Sequence, residues 1–474
     1  MRRFLLPRVA VLVLFLAGCM PPASVAAGLP PAVAQAFRQA GIGPEAVGVH
    51  VEELGSGRIL AASNPEAPFV PASTLKLVTT NAALELLGPA YTWKTRAYAD
   101  GARDGETLLG DLVIQGGGDP KLVQENFWLF LRRIRAAGIR DIRGDLVLDR
   151  GMFEADAYDP AAFDGMPERP YNAGPDALLL NYKSFQYRFI PDPAAGQVRV
   201  VMEPPVADYP VAPPRLVQGA CGDWRERVQA AFGTGGTFMT GTYAAACGER
   251  SWYIHPWRMS SSQYFGAVFR QIWSELGGSF SGTVREGALP PAARLVAEWE
   301  SPPLAEVIRD INKYSNNVMA RQLLLALAAE AGGPPANPRR GAEAIAGWLA
   351  AKGIAAPELV VENGSGLSRA ARVAPRSLGR MLALAFRSAA MPEFMASLPL
   401  VGYDGSMRRR LRGHGVAGQA HIKTGTLDGV RAVAGYVLSA SGRRHVVVCM
   451  VNHPDAAAAG PAIDALLEWV YERG

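Results

Sequence analysis

The sequence is poor in cysteine and histidine, and it contains no dense basic tract. Its 474 residues include four cysteines and six histidines. These form no H-E-x-x-H motif and no pair of C-x-x-C motifs, so neither a metal nor another cofactor is expected. The formal net charge of +5 comes from arginines spread along the chain. This dispersion argues against nucleic acid as a partner and leaves a mild preference for anionic ones.

Hydrophobic runs long enough to span a bilayer are also absent. The apolar run at 9–17 follows positive charge at 1–3 and is too short to cross a membrane, so it predicts a secretory signal peptide and an exported protein. Two processing sites remain open. The Leu-Ala-Gly-Cys at 16–19 is typical of a lipobox, with the signal ending at residue 18, whereas 24–26 fits ordinary cleavage after residue 26. Membrane attachment would require a lipid on Cys19.

Three cysteines remain after the leader. Cys221 and Cys247 lie about 26 residues apart in one glycine-rich region, and an oxidising compartment makes them candidate disulfide partners. Cys449 lies in an apolar run that predicts a buried strand, where a free thiol is usually inert packing.

The length and composition indicate a globular protein of two or three domains, with 49% hydrophobic and 19% charged residues. Alternating valines at 47–51 and a glycine-containing turn before 59–61 predict a β-hairpin. Further strands and helices are predicted from apolar periodicity and from glycine or proline at the segment ends. The strands are 418–423, 430–438 and 445–451, and the helices are 303–312, 318–330, 341–352 and 375–387. An antiparallel sheet flanked by helices, of fold class α+β, follows.

The region 91–294 has a different composition, rich in glycine, proline and short alternating runs. It predicts strands and turns, and the proline-dense segment 204–214 predicts an internal linker. The tetrapeptide Gly-Asp-Leu-Val occurs at 110 and again at 144, which is weak support for two related hairpins. The simplest architecture is a helix-and-sheet domain interrupted by a strand-rich insertion.

The stretch PFVPASTLKLVTTNAALELLG places Ser73 three residues before Lys76 at the start of a predicted helix. In one interpretation Ser73 caps this helix and Lys76 points into water. In the other, the hydroxyl lies near the positive end of the helix dipole, and the lysine lies on the same face within reach of it. The spacing alone fits both.

Two further triads favour the second interpretation. Ser315-Asn316-Asn317 lies between two predicted helices, and Lys423-Thr424-Gly425 lies on a predicted strand just before a turn. The chain has only seven lysines, so a K-T-G triad is not expected by accident. The three motifs occur in the order S-x-x-K, S-x-N, K-T-G that serine β-lactamases and penicillin-binding proteins use.

The mature chain resembles the low-molecular-mass penicillin-binding proteins of the D-alanyl-D-alanine carboxypeptidase/endopeptidase type. Their distinguishing feature is a large insertion, and here about 240 residues separate Lys76 from Ser315. The resemblance extends to GGGDPKL at 116, ALLLNYKSF at 177, ENGSGLSR at 362 and VGYDGSMRRRL at 401. It implies a transpeptidase/β-lactamase-like catalytic domain from 29–90 and 295–474, interrupted by a strand-rich insertion of two subdomains at 91–294.

The resemblance also implies roles for the motif residues. Ser73 would be the nucleophile and Lys76 its base, with Ser315 relaying a proton and the Asn317 amide binding Lys76 and substrate. The substrate-binding strand would contribute four residues, namely Lys423, Thr424, Gly425 and Thr426. Lys423 and Thr424 would hold the substrate carboxylate, and the backbone N–H groups of Ser73 and Thr426 would form an oxyanion hole.

The implied function is a periplasmic D-alanyl-D-alanine carboxypeptidase, with endopeptidase action on crosslinks left open. Its partners would be peptidoglycan peptides, with β-lactams as covalent inhibitors, and its oligomeric state is not predicted. Two alternatives remain. A β-lactamase is disfavoured because the chain lacks an evident glutamate in an E-x-x-L-N setting. A non-catalytic peptidoglycan-binding protein is disfavoured because all three motifs are intact.

Overall fold

The computed structural model describes residues 28–155 and 158–474. The predicted leader, with both processing sites and Cys19, lies outside the described residues. Within the described ranges, no helix combines the length and the apolar character needed to cross a membrane.

Helices and strands occur along the whole described chain, in runs of one type as well as in alternation. The helices are α1 Pro31–Gln39, α2 Lys76–Leu87, α3 Gln124–Ala136, α4 Trp224–Arg227, α5 Ser261–Glu275, α6 Leu304–Lys313, α7 Asn317–Gly332, α8 Pro338–Ala351, α9 Pro375–Ala385, α10 Met391–Ser397 and α11 Gly460–Arg473. The strands are β1 Val47–Glu53, β2 Ile59–Ser63, β3 Lys94–Asp100, β4 Arg103–Asp104, β5 Thr107–Leu108, β6 Asp111–Gln115, β7 Asp141–Ile142, β8 Leu146–Asp149, β9 Phe185–Asp192, β10 Gln197–Glu203, β11 Val211–Ala212, β12 Arg215–Val217, β13 Val228–Gly233, β14 Gly236–Ala244, β15 Arg250–Ile254, β16 Ser279–Phe280, β17 Val284–Glu286, β18 Arg294–Glu300, β19 Ala420–Leu427, β20 Val430–Leu438 and β21 Arg444–Asn452.

The first sheet joins the two ends of the chain. Its strand order is β19-β20-β21-β1-β2, and every neighbouring pair is antiparallel. Val447, Cys449 and Val451 of β21 face a core formed with α1 and α11, whereas Val446 and Val448 face a second core formed with α2 and α6 to α9. Because helices cover both faces, the strands are apolar on both sides rather than alternating. The predicted α+β fold, a sheet flanked by helices, is confirmed.

The four predicted helices are present as α6, α7, α8 and α9, each with ends within three residues of the predicted ones. The differences arise at the caps. Asn337 accepts a hydrogen bond from the backbone of Arg340 and starts α8 three residues earlier than expected.

The inserted region contains four further sheets, with the strand orders β17-β8-β6-β3-β18, β16-β7-β5-β4, β10-β9-β15 and β11-β14-β12, in the last of which β13 also pairs with β14. It also contains two amphipathic helices, α3 and α5, that the strand-and-turn composition did not predict. Their signal is present in the sequence, since Phe127, Phe130, Leu131 and Ile134 recur at helical spacing and all are buried. Cys221 and Cys247 form a disulfide in this region.

The repeated Gly-Asp-Leu-Val does not mark two hairpins. Its copies lie on β6 and β8, which are parallel neighbours with Leu112 opposite Leu146. The two aspartates that follow the glycines, Asp111 and Asp145, both pair with Arg285.

The proline-dense segment is not a free linker either. Val206 and Tyr209 are buried in the core of the inserted region. Tyr209 also donates a hydrogen bond to the carbonyl of Gly233.

Strand pairing bears on where the insertion begins and ends. β18 pairs with β3, and the Ser301 backbone N–H donates to the Trp93 carbonyl just beyond this pair. We propose residues 94–300 as the inserted region, because a division at 294 would separate β18 from its partner strand.

Candidate active site

Ser73 lies in a single turn of 3-10 helix, Ala72–Leu75, that continues directly into α2 at Lys76. Neither helix start has a side-chain cap, so Ser73 does not act as an N-cap. Ala72, just before it, has a φ of 47°, a left-handed conformation that a residue with a Cβ rarely adopts. Such strain persists only where the surrounding structure imposes it, and it is typical of functional sites.

Lys76 is fully buried, contrary to the interpretation that places it in water. Its Nζ lies 2.8 Å from Ser73 Oγ, 2.6 Å from Asn317 Oδ1 and 2.6 Å from the Ser365 carbonyl oxygen. A neutral amine fits these partners, because its two N–H groups can donate to the amide and the carbonyl. Its lone pair then accepts the Ser73 hydroxyl proton.

The electrostatic surroundings of Lys76 favour that neutral form. Burial, followed by the positive charges of Lys423 and Arg321, holds the pKa of Lys76 well below its usual value. A buried cation without a carboxylate partner loses hydration and gains nothing in return, so it tends to release its proton.

The S-x-N motif forms the link between α6 and α7. Ser315 has a φ of 56°, and this left-handed residue turns the chain between the two helices. Asn316 caps α7 by accepting a hydrogen bond from the Met319 backbone, so the middle residue has a structural role. Asn317, the first residue of α7, thereby directs its amide toward Lys76.

Lys423 occupies the opposite wall, on β19, and is also fully buried. Its Nζ lies 2.8 Å from Ser315 Oγ and 2.6 Å from the Thr424 carbonyl oxygen. Burial lowers the pKa of Lys423 to about 7. The two lysines therefore each contact one of the two motif serines.

Gly425 allows β19 to approach the serine turn. A Cβ at this position would lie 2.7 Å from the Pro71 carbonyl oxygen and 3.2 Å from the Ser73 nitrogen. A larger residue would push the strand away from Ser73. Thr424 is fixed by a hydrogen bond of 2.7 Å between its hydroxyl and that of Ser406.

Two backbone N–H groups, one on β19 and one at Ser73, are candidates for binding a ligand. β19 is an edge strand, and the Ile422 N–H points outward to the Pro399 carbonyl. Because alternate residues of a strand direct their N–H groups to the same side, the N–H of the exposed Thr426 also points outward. The Ser73 N–H lies in the first helical turn, where backbone donors lack an intrahelical acceptor.

The match to known families covers almost the whole chain. The model of the D-Ala-D-Ala carboxypeptidase 3 (S13) family matches residues 29–472. The chain belongs to this S13 family. The predicted family, and with it a peptidase of the serine type, is confirmed.

Two curated relatives are similar over most of the chain. A D-alanyl-D-alanine carboxypeptidase of Actinomadura sp. strain R39 is 28% identical over 440 residues, which are 88% of this chain and 79% of the relative. The D-alanyl-D-alanine carboxypeptidase DacB of Haemophilus influenzae is 25% identical over 413 residues, 86% of this chain and 85% of the relative.

Solved structures show the same fold. The crystal structure of penicillin-binding protein 4 (dacB) from Haemophilus influenzae superposes with a TM-score of 0.77 and 23% identity, covering 93% of this chain and 99% of that one. A second structure of that protein, complexed with a β-lactam, has a TM-score of 0.73, 24% identity and the same coverage.

One residue beside Lys76 was not identified from the sequence. Ser365 contacts Lys76 through its backbone carbonyl, which no side-chain motif reveals. The ENGSGLSR stretch held the only signal, its two glycines. Gly366 has a φ of 75°, and a Cβ there would lie 1.9 Å from the Ala72 carbonyl oxygen, so this loop packs directly on the serine turn. Among the described residues no cluster of three or more potential metal ligands occurs.

Proposed function

We propose that the chain removes the C-terminal D-alanine from peptidoglycan stem peptides through an acyl-enzyme on Ser73. The observation that carries this proposal is the contact between Ser73 Oγ and the fully buried amine of Lys76, whose pKa is held low. A hydroxyl next to a neutral amine can be deprotonated as it attacks, which is how serine nucleophiles are activated.

In the acylation step, Ser73 Oγ bonds to the carbonyl carbon of the penultimate D-alanine and its proton passes to Lys76 Nζ. The C–N bond then breaks, and the leaving nitrogen takes up a proton through Ser315 Oγ. Ser315 is suited to this relay because Lys423 Nζ, 2.8 Å away, can replace the proton. Water then attacks the ester and loses a proton through Ser315 to Lys423, while Ser73 Oγ leaves with the proton held on Lys76. The shortened peptide is released and both lysines return to their starting states.

Residues of β19, together with the Ser73 backbone, would bind the substrate and polarise its carbonyl group. The backbone N–H groups of Ser73 and Thr426 stabilise the oxyanion, and each such donor contributes about 3 kcal/mol in other acyl-transfer enzymes. Protonated Lys423 and the Thr424 hydroxyl hold the terminal carboxylate. Gly425 keeps both sets of groups within reach of one substrate.

The same groups would accept a β-lactam, which has an amide carbonyl and a carboxylate. A β-lactam complex of the Haemophilus influenzae protein supports this part of the proposal. The family and the apolar leader of the sequence support export to the periplasm, where the peptide substrate occurs. Endopeptidase action on crosslinks is a further part of the proposal, and Cys19 would carry a lipid if the signal ends at residue 18.

The proposal is tested by labelling the purified protein with a fluorescent penicillin and by measuring D-alanine release from a pentapeptide. We expect stoichiometric labelling and D-alanine release, both lost in Ser73→Ala. The matched control is Ser274→Ala, an exposed serine of α5, which should label like the parent. Labelling that persists without Ser73 refutes the nucleophile, and labelling without D-alanine release refutes the carboxypeptidase. Rapid hydrolysis of the penicillin adduct would indicate a β-lactamase instead.

A further inference from the structure

A cavity of about 310 Å³ lies beside α7, away from Ser73 and Lys423. It is lined by apolar side chains, including Phe153, Leu324 and Ala336, and by the guanidinium-bearing Arg321. The volume falls within the range of small-molecule sites, which are mostly apolar with a few placed polar groups.

Arg321 is the unusual member of this lining because only 4% of it is exposed. Its Nη1 donates to the Tyr171 and Ala173 carbonyls at 3.1 and 2.8 Å. Nε is buried without an acceptor, and Nη2 has none among the described residues. A guanidinium has five N–H donors in a planar fork that matches a carboxylate, so this one has donors left over.

The charge of Arg321 is also left without close compensation in the described part of the chain. Burial is the main influence on its pKa, which it lowers, and Tyr158 and Glu362 act on it only through longer-range charge interactions. The Tyr158 ring lies against the guanidinium, 5.4 Å from Cζ to the ring centre. A buried charge is costly unless it is paired, so an anion that entered the cavity would be bound favourably.

Two other features narrow the class of ligand. Phe153 and Leu324 offer apolar contact to the body of a ligand. Glu154 lies at the exposed side of the cavity, and its carboxylate accepts a hydrogen bond from Asn337 at 2.8 Å. This negative charge would repel a second carboxylate on the ligand.

We propose that this cavity binds a small monocarboxylate, with its carboxylate on Arg321 and its apolar body against Phe153 and Leu324. The site is distinct from the carboxylate-binding Lys423. It does not depend on the proposed hydrolytic function.

The test uses 4-fluorobenzoate as the probe and follows its binding to the full chain by ¹⁹F NMR titration. We expect saturable binding that Arg321→Gln weakens at least about tenfold, since a charge-assisted hydrogen bond to the carboxylate is lost. Ala155→Trp adds bulk from an exposed position on the cavity lining and should block binding without disturbing the core. If Arg321→Gln does not fold, the loss or retention of probe binding in Ala155→Trp tests whether the probe occupies this cavity.

Two control variants test whether the probe binds at Arg321 or at another cationic side chain. Lys423→Ala removes the carboxylate partner proposed for the catalytic wall, and the exposed Arg309→Gln removes a surface arginine of α6. Both should bind the probe like the parent. Absence of saturable binding to the parent overturns the proposal, as does binding that survives Ala155→Trp or is lost in Lys423→Ala. Failure of penicillin labelling would leave this result unchanged.

Discussion

The catalytic site and the inserted region differ in whether their basic side chains are buried and whether they form ion pairs. In the site, Lys76 and Lys423 are fully buried and neither forms an ion pair with a described carboxylate. In the inserted region, arginines lie at the surface and pair with acids, as Arg285 does with Asp111 and Asp145. The difference shows where the fold gives up stability, because an unpaired buried cation is costly whereas a surface pair is nearly neutral.

The two regions also differ in how their segments pack. Around the site, backbone segments approach so closely that Gly366 and Gly425 have no room for a Cβ. The core of the inserted region instead relies on aromatic contacts, such as Phe189 stacked on Tyr243 with ring centres 5.4 Å apart, and on a disulfide. Close backbone approach orients reacting groups, whereas large side chains and a covalent bond stabilise a scaffold.

The sharpest test of this contrast is Lys76→Met, which keeps the length and burial of the side chain and removes the amine. We expect acylation by penicillin to fall by about 10³-fold or more, since the base that activates Ser73 is lost. Stopped-flow labelling measures the rate, and a thermal melt checks the fold. The control is Lys352→Met, which removes a half-exposed lysine that pairs with Glu85. An acylation rate near that of the parent would show that the buried amine has no catalytic role.

The inserted region should respond in stability rather than rate. Replacing Cys221 and Cys247 by serine opens a loop closed over 26 residues, and we expect the free energy of unfolding to fall by about 3 kcal/mol. Penicillin acylation at 25 °C should remain unchanged while the protein is folded. Denaturant unfolding of the variant and of the reduced parent should coincide. Slower acylation without loss of stability would contradict the assignment of the insertion as a scaffold.

The pH dependence of kcat/KM should report both buried lysines. Lys423 carries its charge below its pKa of about 7 and loses it above, so KM for a peptide with a free carboxylate should rise as the pH increases through 7. Lys76 must be neutral, so kcat/KM should also fall as the pH drops through its lowered pKa. Steady-state kinetics across pH measure both effects, the fall of kcat/KM at acidic pH and the rise of KM at alkaline pH.

Lys423→Arg is the control for the rise of KM at alkaline pH. Arginine stays charged throughout this range, so the rise of KM above pH 7 should disappear. A rise that persists in this variant would assign the effect to another group.

The smallest effect is expected for Arg285→Ala. The side chain is half exposed and its two ion pairs lie at the surface, so we expect a loss of about 1 kcal/mol or less. Kinetic constants should not change. Thermal melting at low and high salt measures the contribution, and a change in kcat would show that the insertion influences the site electrostatically.

Much of the fold was predictable because local patterns are reliable where packing agrees with them. The four helices α6 to α9 were placed within three residues. The repeated Gly-Asp-Leu-Val and the proline-dense segment were misinterpreted because their roles depend on partners far along the chain. β6 pairs with β8 in parallel, and Tyr209 packs into a core formed by other segments.

The sequence by itself determined the family, the three motifs and the nearness of Ser73 to Lys76, since three residues of helix bring their side chains together. Only the tertiary structure decided that Asn317, 241 residues from Lys76, and the Ser365 carbonyl, 289 residues away, would complete the environment of that amine. It likewise set Lys423 against Ser315 across 108 residues. Helical spacing is a property of neighbouring residues, whereas contacts between distant segments, and the burial that lowers a lysine pKa, exist only once the sheets and helices have packed.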